Sequence, residues 1–445
     1  MKTSTAWLIA RPRTSAGRTR ALLVAGGAAT GGGLLMTAAG VLRVPGQTFE
    51  YAADGSYTSF STGEYSALAV QAGLRPGLLT GILLLVLPSL ALTWQAVTTG
   101  SARRAAVHEG LRLSGAGPAD LRRVAVLEPA VAGVAGGLLA GPVYLLLWLL
   151  LHVAAPPSAR LLPGLSPWDA ASWLVVVVLT ALVAGAAGAY AATPRARRPV
   201  RAWPRLLTVA AGVAAFIAVV TSPRDLDQRA LETTLNCVAL TVLALGLLST
   251  GALWVNSRAT RLARSGTAVD VLAAGGLRTL AGPAGRTAGT TCVAGLTLGV
   301  AGSLTGALLG PDLSLAENVP ALVLTCTAAL LAVLAAMTAM ALAATDDLVT
   351  TSRAVASTAA LGAEPAVLEQ VQRRRLAVVT TGPLVAGTAL GGLYGLLDQS
   401  LTAVAGALLT IGLSVLLARA ITAAVLRVLR PRIARAAAPS WLRVA

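Results

Sequence analysis

Long apolar runs alternate with short polar segments along the whole chain. Ten runs are predicted to cross a membrane, for which a helix needs about 20 residues; the fifth run is shorter. They lie near 21–42, 78–97, 124–151, 173–192, 206–221, 235–255, 290–309, 319–344, 378–397 and 402–426. Lipid offers no partner to backbone polar groups, so each run is predicted to be helical. The predicted fold class is all-α, a polytopic membrane protein with about ten transmembrane helices.

The composition supports this interpretation. Hydrophobic residues make up 56% of the 445 residues and charged residues 12%, whereas soluble domains are about 25% charged. A water-soluble fold of this size is therefore excluded. The net charge of +17 does not indicate a nucleic-acid partner, because the basic residues cluster between apolar runs. The lipid bilayer is the expected environment, and such clusters are its orientation signal.

The charge distribution orients the predicted helices. If the N-terminus lies in the cytoplasm, 30 of the 35 basic residues lie on that side, 29 of them between the runs or at the ends of the chain and one, Arg419, near the inner end of the tenth run. The outer loops carry Arg43, Arg75, Arg160, Arg224 and Arg229. Basic residues are enriched in cytoplasmic loops, so both termini are expected in the cytoplasm. A cleaved signal peptide is the alternative for the N-terminus, but the run at 21–42 is long enough to span.

The chain lacks residues that several kinds of active site require. A Walker A loop needs a lysine for the nucleotide phosphates, and the only lysine is Lys2. Cys237, Cys292 and Cys326 lie in predicted spans without CxxC spacing, so they are interpreted as small apolar residues. No charged residue lies at mid-depth of a predicted span, which argues against a proton- or sodium-coupled secondary transporter. We expect no catalytic residue, cofactor or metal in this chain.

A repeat relates two predicted cytoplasmic segments. Residues 114–124 match residues 361–371 at an offset of 247. The identities are Gly115/Gly362, Ala116/Ala363, Pro118/Pro365, Ala119/Ala366, Leu121/Leu368 and Val124/Val371. The same offset aligns the second and third spans with the eighth and ninth. That agreement favours a duplication over chance similarity between segments rich in alanine and glycine.

The repeat divides the chain into two four-helix units on either side of a linking pair of helices. The predicted parts are a cytoplasmic tail at 1–20, a first unit at 21–192, the linking pair and a cytoplasmic linker at 193–289, a second unit at 290–426 and a basic tail at 427–445. An even number of spans separates the copies, so both repeat segments are expected on the cytoplasmic side.

Each unit is predicted to place a basic amphipathic helix and a turn after its second span. The first segment covers 101–123; glycines break it at 114–117, and Pro118 suits the first position of the next helix. The second segment covers 346–375 and breaks at Leu361-Gly362-Ala363.

The helix of the second segment is predicted at about 346–360. Asp346 and Asp347 are expected to begin it, because acids are favoured at a helix N-terminus. Pro365 is expected to start the helix that follows the break.

The stretch His108–Glu128 resembles the FtsX-like permease family of ABC transporters. That family has a similar basic helix, a Leu-x-Gly-Ala turn, an arginine-rich helix and a glutamate at the membrane edge. The ten-span layout is similar to that of the bacitracin-type peptide-exporter permeases. The second copy departs from the pattern, since Arg375 stands where the glutamate would align. The outer loop at 43–77 is also too short for the large outer domain that many relatives carry.

The resemblance implies the permease subunit of an ABC transporter in the bacterial cell membrane. A separate ABC-type ATP-binding subunit, in two copies, would bind ATP and magnesium, and the two repeat segments would be coupling helices that dock on it. The implied substrate is amphipathic or lipid-linked, such as a peptide antibiotic. The residues expected at this contact are Arg104, His108, Leu111, Arg112, Gly115, Ala116, Arg122, Arg123, Glu128, Leu361, Gly362, Ala363 and Arg373.

Other functions stay open. A basic juxtamembrane helix can lie on anionic lipid without docking on a protein. A mechanotransmitting signalling or scaffold protein that regulates cell-wall enzymes is the main alternative, and a secondary transporter is the weaker one. Glu128 also has two interpretations, either a coupling residue or a structural partner of Arg20, Arg122 or Arg123.

Overall fold

The computed structural model of the chain is helical over most of its length. It describes residues 15–46, 48–51, 57–60, 64–70, 75–98, 110, 112–192, 203–221, 229–309, 315–397 and 401–438. The helices are α1 (Ser15–Leu42), α2 (Ala67–Val70), α3 (Arg75–Thr98), α4 (Pro118–Trp148), α5 (Pro167–Ala192), α6 (Trp203–Thr221), α7 (Arg229–Ala263), α8 (Ala268–Thr279), α9 (Ala281–Leu308), α10 (Leu315–Thr350), α11 (Ser352–Ala360), α12 (Pro365–Leu397) and α13 (Leu401–Ala436).

Seven helices in the described part of the chain are long and apolar enough to cross a membrane. They are α1, α4, α5, α9, α10, α12 and α13. The chain is therefore a helical, multi-pass membrane protein. Helices α3, α6 and α7 cover the second, fifth and sixth predicted spans but are not among the seven. The count of ten crossings, the orientation of the termini and the domain boundaries stay predictions.

A short β-hairpin lies between α1 and α3. Strand β1 (Thr48–Tyr51) pairs antiparallel with β2 (Tyr57–Phe60), with Thr48 opposite Phe60 and Tyr51 opposite Tyr57. The all-α prediction did not include it. Two strands of four residues are at the lower limit of length for a strand, so a hydropathy pattern dominated by spans of 20 residues does not reveal them.

The chain forms two compact units. Unit 1 comprises residues 1–199 and 214–241, and unit 2 comprises residues 200–213 and 242–445. Helices α6 and α7 each contribute to both units.

Helix α1 is the central helix of unit 1. It packs against α3, α4 and α5, and α5 also packs against α3 and α4. The most apolar stretch of α1 is 61% buried, against 28% for α4 and for α5. The outward faces of α4 and α5 expose leucine and valine side chains, as expected of helices that meet lipid.

Helix α9 has the same place in unit 2. It packs against α10, α12 and α13, and α13 also packs against α10 and α12. Its most apolar stretch is 67% buried, against 22% for α13. The same five pairs of helices are thus in contact in both units when α9, α10, α12 and α13 are matched with α1, α3, α4 and α5.

Glycines allow α9 and α12 to pack closely. A Cβ atom on Gly387 would overlap the carbonyl group of Cys292, and one on Gly391 would overlap that of Leu296. Small residues let helix backbones approach each other in membranes, where dispersion contacts drive helix association. The glycines on the facing side of α9 are Gly295 and Gly299.

A polar cluster joins α1, α4 and α5 at the predicted outer side of unit 1. Asp169, in the first turn of α5, accepts hydrogen bonds from the Tyr144 hydroxyl (2.7 Å) and from the Ser166 backbone N–H (2.8 Å). It also pairs with Arg43, just beyond the end of α1. A carboxylate is favourable at a helix N-terminus. The Asp169 carboxylate also connects the start of α5 to the ends of α1 and α4.

The region before the second unit differs from the prediction. Helix α8 was not predicted, although Thr267 and Asp270 have the spacing of a helix N-cap; the Thr267 hydroxyl accepts from the Asp270 backbone N–H at 3.3 Å. Helix α9 begins at Ala281, well before the predicted start at 290. Its first turns are covered by protein, with Ala284 0% and Thr287 1% exposed, so hydropathy underestimates its length.

The prediction that Asp346 and Asp347 begin a helix is wrong. Helix α10 continues to Thr350, so both acids lie near its C-terminal end, and α11 starts at Ser352. An acid near a helix C-terminus is unfavourable on dipole grounds. The ion pair of Asp347 with Arg375 of α12, at 3.1 Å, supplies the opposite charge.

Candidate functional site

The first predicted turn is present and leads directly into α4. Gly115 has a φ of 86°, a left-handed conformation that disfavours residues with a Cβ atom. Its N–H donates to the Arg112 carbonyl at 2.9 Å. Gly117 follows with an ordinary φ of −74°, and Pro118 begins α4. Three residues predicted for the helix before this turn lie outside the described residues: Arg104, His108 and Leu111.

The second turn closes α11 with a Schellman motif. Gly362 has a φ of 97°, and its N–H donates to the Ala359 carbonyl at 3.0 Å. The Ala363 N–H donates to the Thr358 carbonyl at 3.2 Å. These two bonds satisfy carbonyl groups that the end of a helix leaves without partners. The predicted break is confirmed, and Pro365 restarts the chain as α12.

Each turn carries an exposed leucine. Leu113 is 83% exposed and Leu361 is 89% exposed. A Cβ atom added to Gly115 or Gly362 would meet nothing within 4 Å. Both turns are therefore open tips, made of small residues beside one bare apolar side chain. Such a tip is a surface that a partner protein can cover.

The predicted arginines lie at different distances from the two turns. Arg122 and Arg123 are exposed in the first two turns of α4, and Arg123 lies 3.9 Å from Asp120. Arg373 is exposed in α12, eight residues after Pro365, which corresponds to about 12 Å along the helix. The first turn therefore has arginines close to its tip, whereas those of the second lie deeper along the helix.

Glu128 does not belong to the turn. It lies ten residues after Pro118, which places it about 15 Å along α4. Its carboxylate accepts a hydrogen bond from Arg20 of α1, and the two side chains are 26% and 17% exposed. Of Arg20, Arg122 and Arg123, which the sequence offered as partners of Glu128, Arg20 is the one that pairs with it. A role for Glu128 in coupling would have to act through this link between α1 and α4.

Arg375 occupies the equivalent position in α12, 247 residues after Glu128. It pairs with Asp347 of α10 at 3.1 Å and donates to the Leu272 carbonyl of α8 at 3.3 Å. Gly276 of α8 leaves the space that the Arg375 guanidinium fills. The Arg375 and Asp347 side chains are only 13% and 10% exposed. This pair fastens α8, α10 and α12 together.

A groove in unit 2 was not predicted. It has a volume of about 370 Å³ and lies among α7, α12 and the start of α8. Arg258, Arg261 and Arg374 line it, together with Asp270. Arg374 donates to the Asp270 carboxylate at 2.9 Å. Burial acts to raise the pKa of Asp270, but hydrogen bonds, including those from Ser265 and Arg374, outweigh it and hold the pKa below its ordinary value.

Trp254 forms one wall of this groove. Its indole N–H donates to the Val378 carbonyl at 3.1 Å, and the Arg258 guanidinium lies 4.4 Å from the ring centroid. Gly382 leaves room for the ring. The spacing of Trp254 and Arg258, four residues apart on a helix, is the one signal of this arrangement in the sequence.

The chain matches no protein-family model, no curated protein and no solved structure. The resemblance to FtsX-like permeases thus rests on the repeat motif and the layout of spans. The role of the turns in ATPase coupling, the partners and the expectation of no cofactor stay predictions.

Proposed function

We propose that this chain is the permease subunit of an ABC transporter, crossing the membrane ten times with both termini in the cytoplasm. ATP hydrolysis would be supplied by a separate ATP-binding subunit in two copies. The observation that carries the proposal is the recurrence of one arrangement. In each unit, an exposed leucine lies one or two residues before a positive-φ glycine, and a proline three residues after that glycine starts a helix long and apolar enough to cross a membrane.

Docking would use the chemistry of these tips. A leucine beside a glycine turn can enter a shallow apolar pocket, because the turn has no side chain to keep the partner away. Exposed arginines such as Arg112 and Arg122 would meet acidic residues on the pocket rim, which favours correct orientation and fast association. The lysine-free sequence after Lys2 supports a motor on another chain, since a Walker A loop needs a lysine.

Motion would pass from each tip into the membrane. In unit 1 the turn continues within three residues into α4, which the Arg20–Glu128 pair connects to the central helix α1. In unit 2 the turn continues into α12, which packs closely on the central helix α9. A push on either tip would therefore reach the central helix of its unit. The substrate would be an amphipathic or lipid-linked molecule, such as a peptide antibiotic.

Co-purification of the full chain with the ATP-binding subunit encoded near its gene tests the proposal. The double variant Leu113→Asp/Leu361→Asp places a charge on each exposed tip without disturbing packed residues. We expect it to lose the subunit and at least 90% of the ATPase stimulation that the wild-type chain gives. Leu401→Asp is the matched control, since Leu401 is 88% exposed at the opposite end of α13 from its basic tail.

Two results would contradict the proposal. One is the absence of any ATP-binding subunit from membranes in which the wild-type chain is cross-linked and recovered. The other is equal retention of the subunit by the double variant and the Leu401→Asp control. A subunit that binds at the tips but drives no export would instead favour the mechanotransmitting alternative.

A further inference from the structure

The groove in unit 2 has a charged end and an apolar end. Arg261 and Arg374 lie with Ser265 and Asp270 at one end, and Trp254, Val378 and Gly382 lie at the other. Eight residues separate Arg374 from Gly382 on α12, so the groove runs about 12 Å along the helix. Arg374 is nearer the start of α12, on the side predicted to be cytoplasmic, so the apolar end points into the membrane.

The groove as a whole carries an excess of positive charge. Among the described residues, three arginines line the groove and Asp270 is the one acid that does. Asp270 is engaged with Arg374 at 2.9 Å. No carboxylate in the described part of the chain forms an ion pair with Arg258 or Arg261. An anion that enters the groove would therefore meet two guanidinium groups without displacing a protein carboxylate.

Arg258 is held in position for such an anion. Its guanidinium lies 4.4 Å from the centroid of the Trp254 ring, a cation–π arrangement. The ring is fixed in turn by the 3.1 Å hydrogen bond to the Val378 carbonyl and by the space that Gly382 leaves. Arg258 and Arg261 are three residues apart and so share a face of α7. Less side-chain freedom is lost on binding when one guanidinium is already placed.

The apolar end distinguishes a lipid from a soluble anion. Ala377 and Val378 of α12 line the groove between Arg374 and Gly382, beside Trp254 of α7. A free phosphate would use only the charged end. A glycerophospholipid would place its phosphate between the arginines and its first acyl carbons against the apolar residues. Basic pockets between transmembrane helices on the cytoplasmic side recognise anionic headgroups in this way.

We propose that this groove binds the headgroup of an anionic glycerophospholipid of the cytoplasmic leaflet. Arg258 and Arg261 contact the phosphate, Trp254 packs against the glycerol region, and the apolar end receives the start of an acyl chain. The site lies wholly within unit 2 and does not depend on an ATPase partner, so the proposed function can fail while this site stands.

Native mass spectrometry of the purified full chain tests the site. The chain is titrated with phosphatidylglycerol and, separately, with zwitterionic phosphatidylcholine of the same acyl length. We expect one phosphatidylglycerol to bind at least tenfold more tightly than phosphatidylcholine. Two arginine contacts near the surface contribute about 1 kcal/mol each. The variant Arg258→Gln/Arg261→Gln should therefore weaken phosphatidylglycerol binding about thirtyfold.

The matched control is Arg427→Gln/Arg432→Gln, which removes two exposed arginines from the end of α13. It should bind phosphatidylglycerol as the wild type does. Equal loss in both variants would overturn the site, because it would show general attraction to a basic protein. Equal binding of the two lipids by the wild-type chain would do the same.

Two soluble competitors separate a lipid site from an anion site. Inorganic phosphate and glycerophosphoglycerol at millimolar concentration should leave bound phosphatidylglycerol in place, because they lack the acyl chains. Displacement by either would overturn the assignment to a lipid. Circular dichroism and gel filtration must show that the groove variant is folded; if it is not, Arg261→Gln alone, an exposed position, should weaken binding several-fold.

Discussion

Arg375 stands at the position in α12 that Glu128 holds in α4, and each is neutralised by a residue of opposite charge on another helix. Glu128 pairs with Arg20, and Arg375 pairs with Asp347. The charge at the equivalent position has the opposite sign in the two units, yet it belongs to an ion pair in both. In both units, therefore, an ion pair at this position connects two helices, with the acid and the arginine exchanged.

The buried pair in unit 2 should behave as a unit in stability measurements. Arg375→Leu leaves Asp347 buried without its partner, and we expect it to lower stability by about 3–5 kcal/mol. The double variant Arg375→Leu/Asp347→Leu should recover most of that loss, because no unpaired charge remains. Thermal unfolding in detergent measures both. Additive losses in the double variant would show that the two side chains are not coupled.

The glycine turns should respond to backbone conformation and not to side-chain size. Gly115→Asn and Gly362→Asn should be tolerated, since asparagine adopts positive φ more readily than other residues. If the turns dock on an ATP-binding subunit as proposed, Gly115→Val and Gly362→Val should reduce the stimulation of that subunit's ATPase activity by tenfold or more, because valine is strained at positive φ. Gly117→Ala is the control, since Gly117 has an ordinary φ of −74°. Equal activity of the valine and asparagine variants would contradict the prediction.

The contact between α9 and α12 should not tolerate a methyl group. Gly391→Ala would place a Cβ atom against the Leu296 carbonyl, and we expect a loss of about 1–3 kcal/mol from overpacking. Gly412→Ala, in α13, meets nothing within 4 Å and should leave stability unchanged or slightly raised. The two melting temperatures give the comparison, and similar values would argue against close packing at Gly391.

Asp270 should stay ionised at a lower pH than an ordinary aspartate does. Burial acts to raise the pKa of Asp270, but hydrogen bonds, Ser265 and Arg374 among their sources, hold that pKa below the unfolded value of about 3.9. The carboxylate then contributes stability above pH 4 that is lost as the pH falls through its lowered pKa. Asp270→Asn should destabilise the chain equally at pH 7 and pH 5 and much less at pH 3. A difference that already shrinks between pH 7 and pH 5 would contradict this.

The two turns were predictable because their conformation depends on local residue types. A glycine followed by alanine, with a proline three positions after the glycine, is a short-range signal, and no distant contact is needed to form it. The tertiary pairs were not predictable in the same way. Nothing near Asp347 in the sequence indicates Arg375, and the short-range preference of acids for a helix start led to the wrong position for Asp346 and Asp347.

Hydropathy located membrane helices but not their full extent. The early turns of α9 contain Thr287 and several glycines, so their hydropathy is low, yet they are helical because other helices cover them. Trp254 lies at the end of the sixth predicted span and Arg258 at the start of the predicted cytoplasmic linker. A tryptophan and an arginine are common at a membrane edge, so neither residue indicated a binding groove. Only the packing of α7 on α12 brings them into one groove.

Helix α4 and the π-helical turn that continues it reach from Pro118 to Val153 as one element of 36 residues. At 1.5 Å per residue this is about 54 Å, longer than the full thickness of a bilayer with its headgroups, about 40–45 Å. A helix of this length would extend beyond the bilayer when it crosses, so that its two ends lie on opposite sides of the membrane. A displacement of the Gly115 turn would therefore pass toward the far side through one continuous helix, in which Pro129 and Pro142 mark the points where it can bend.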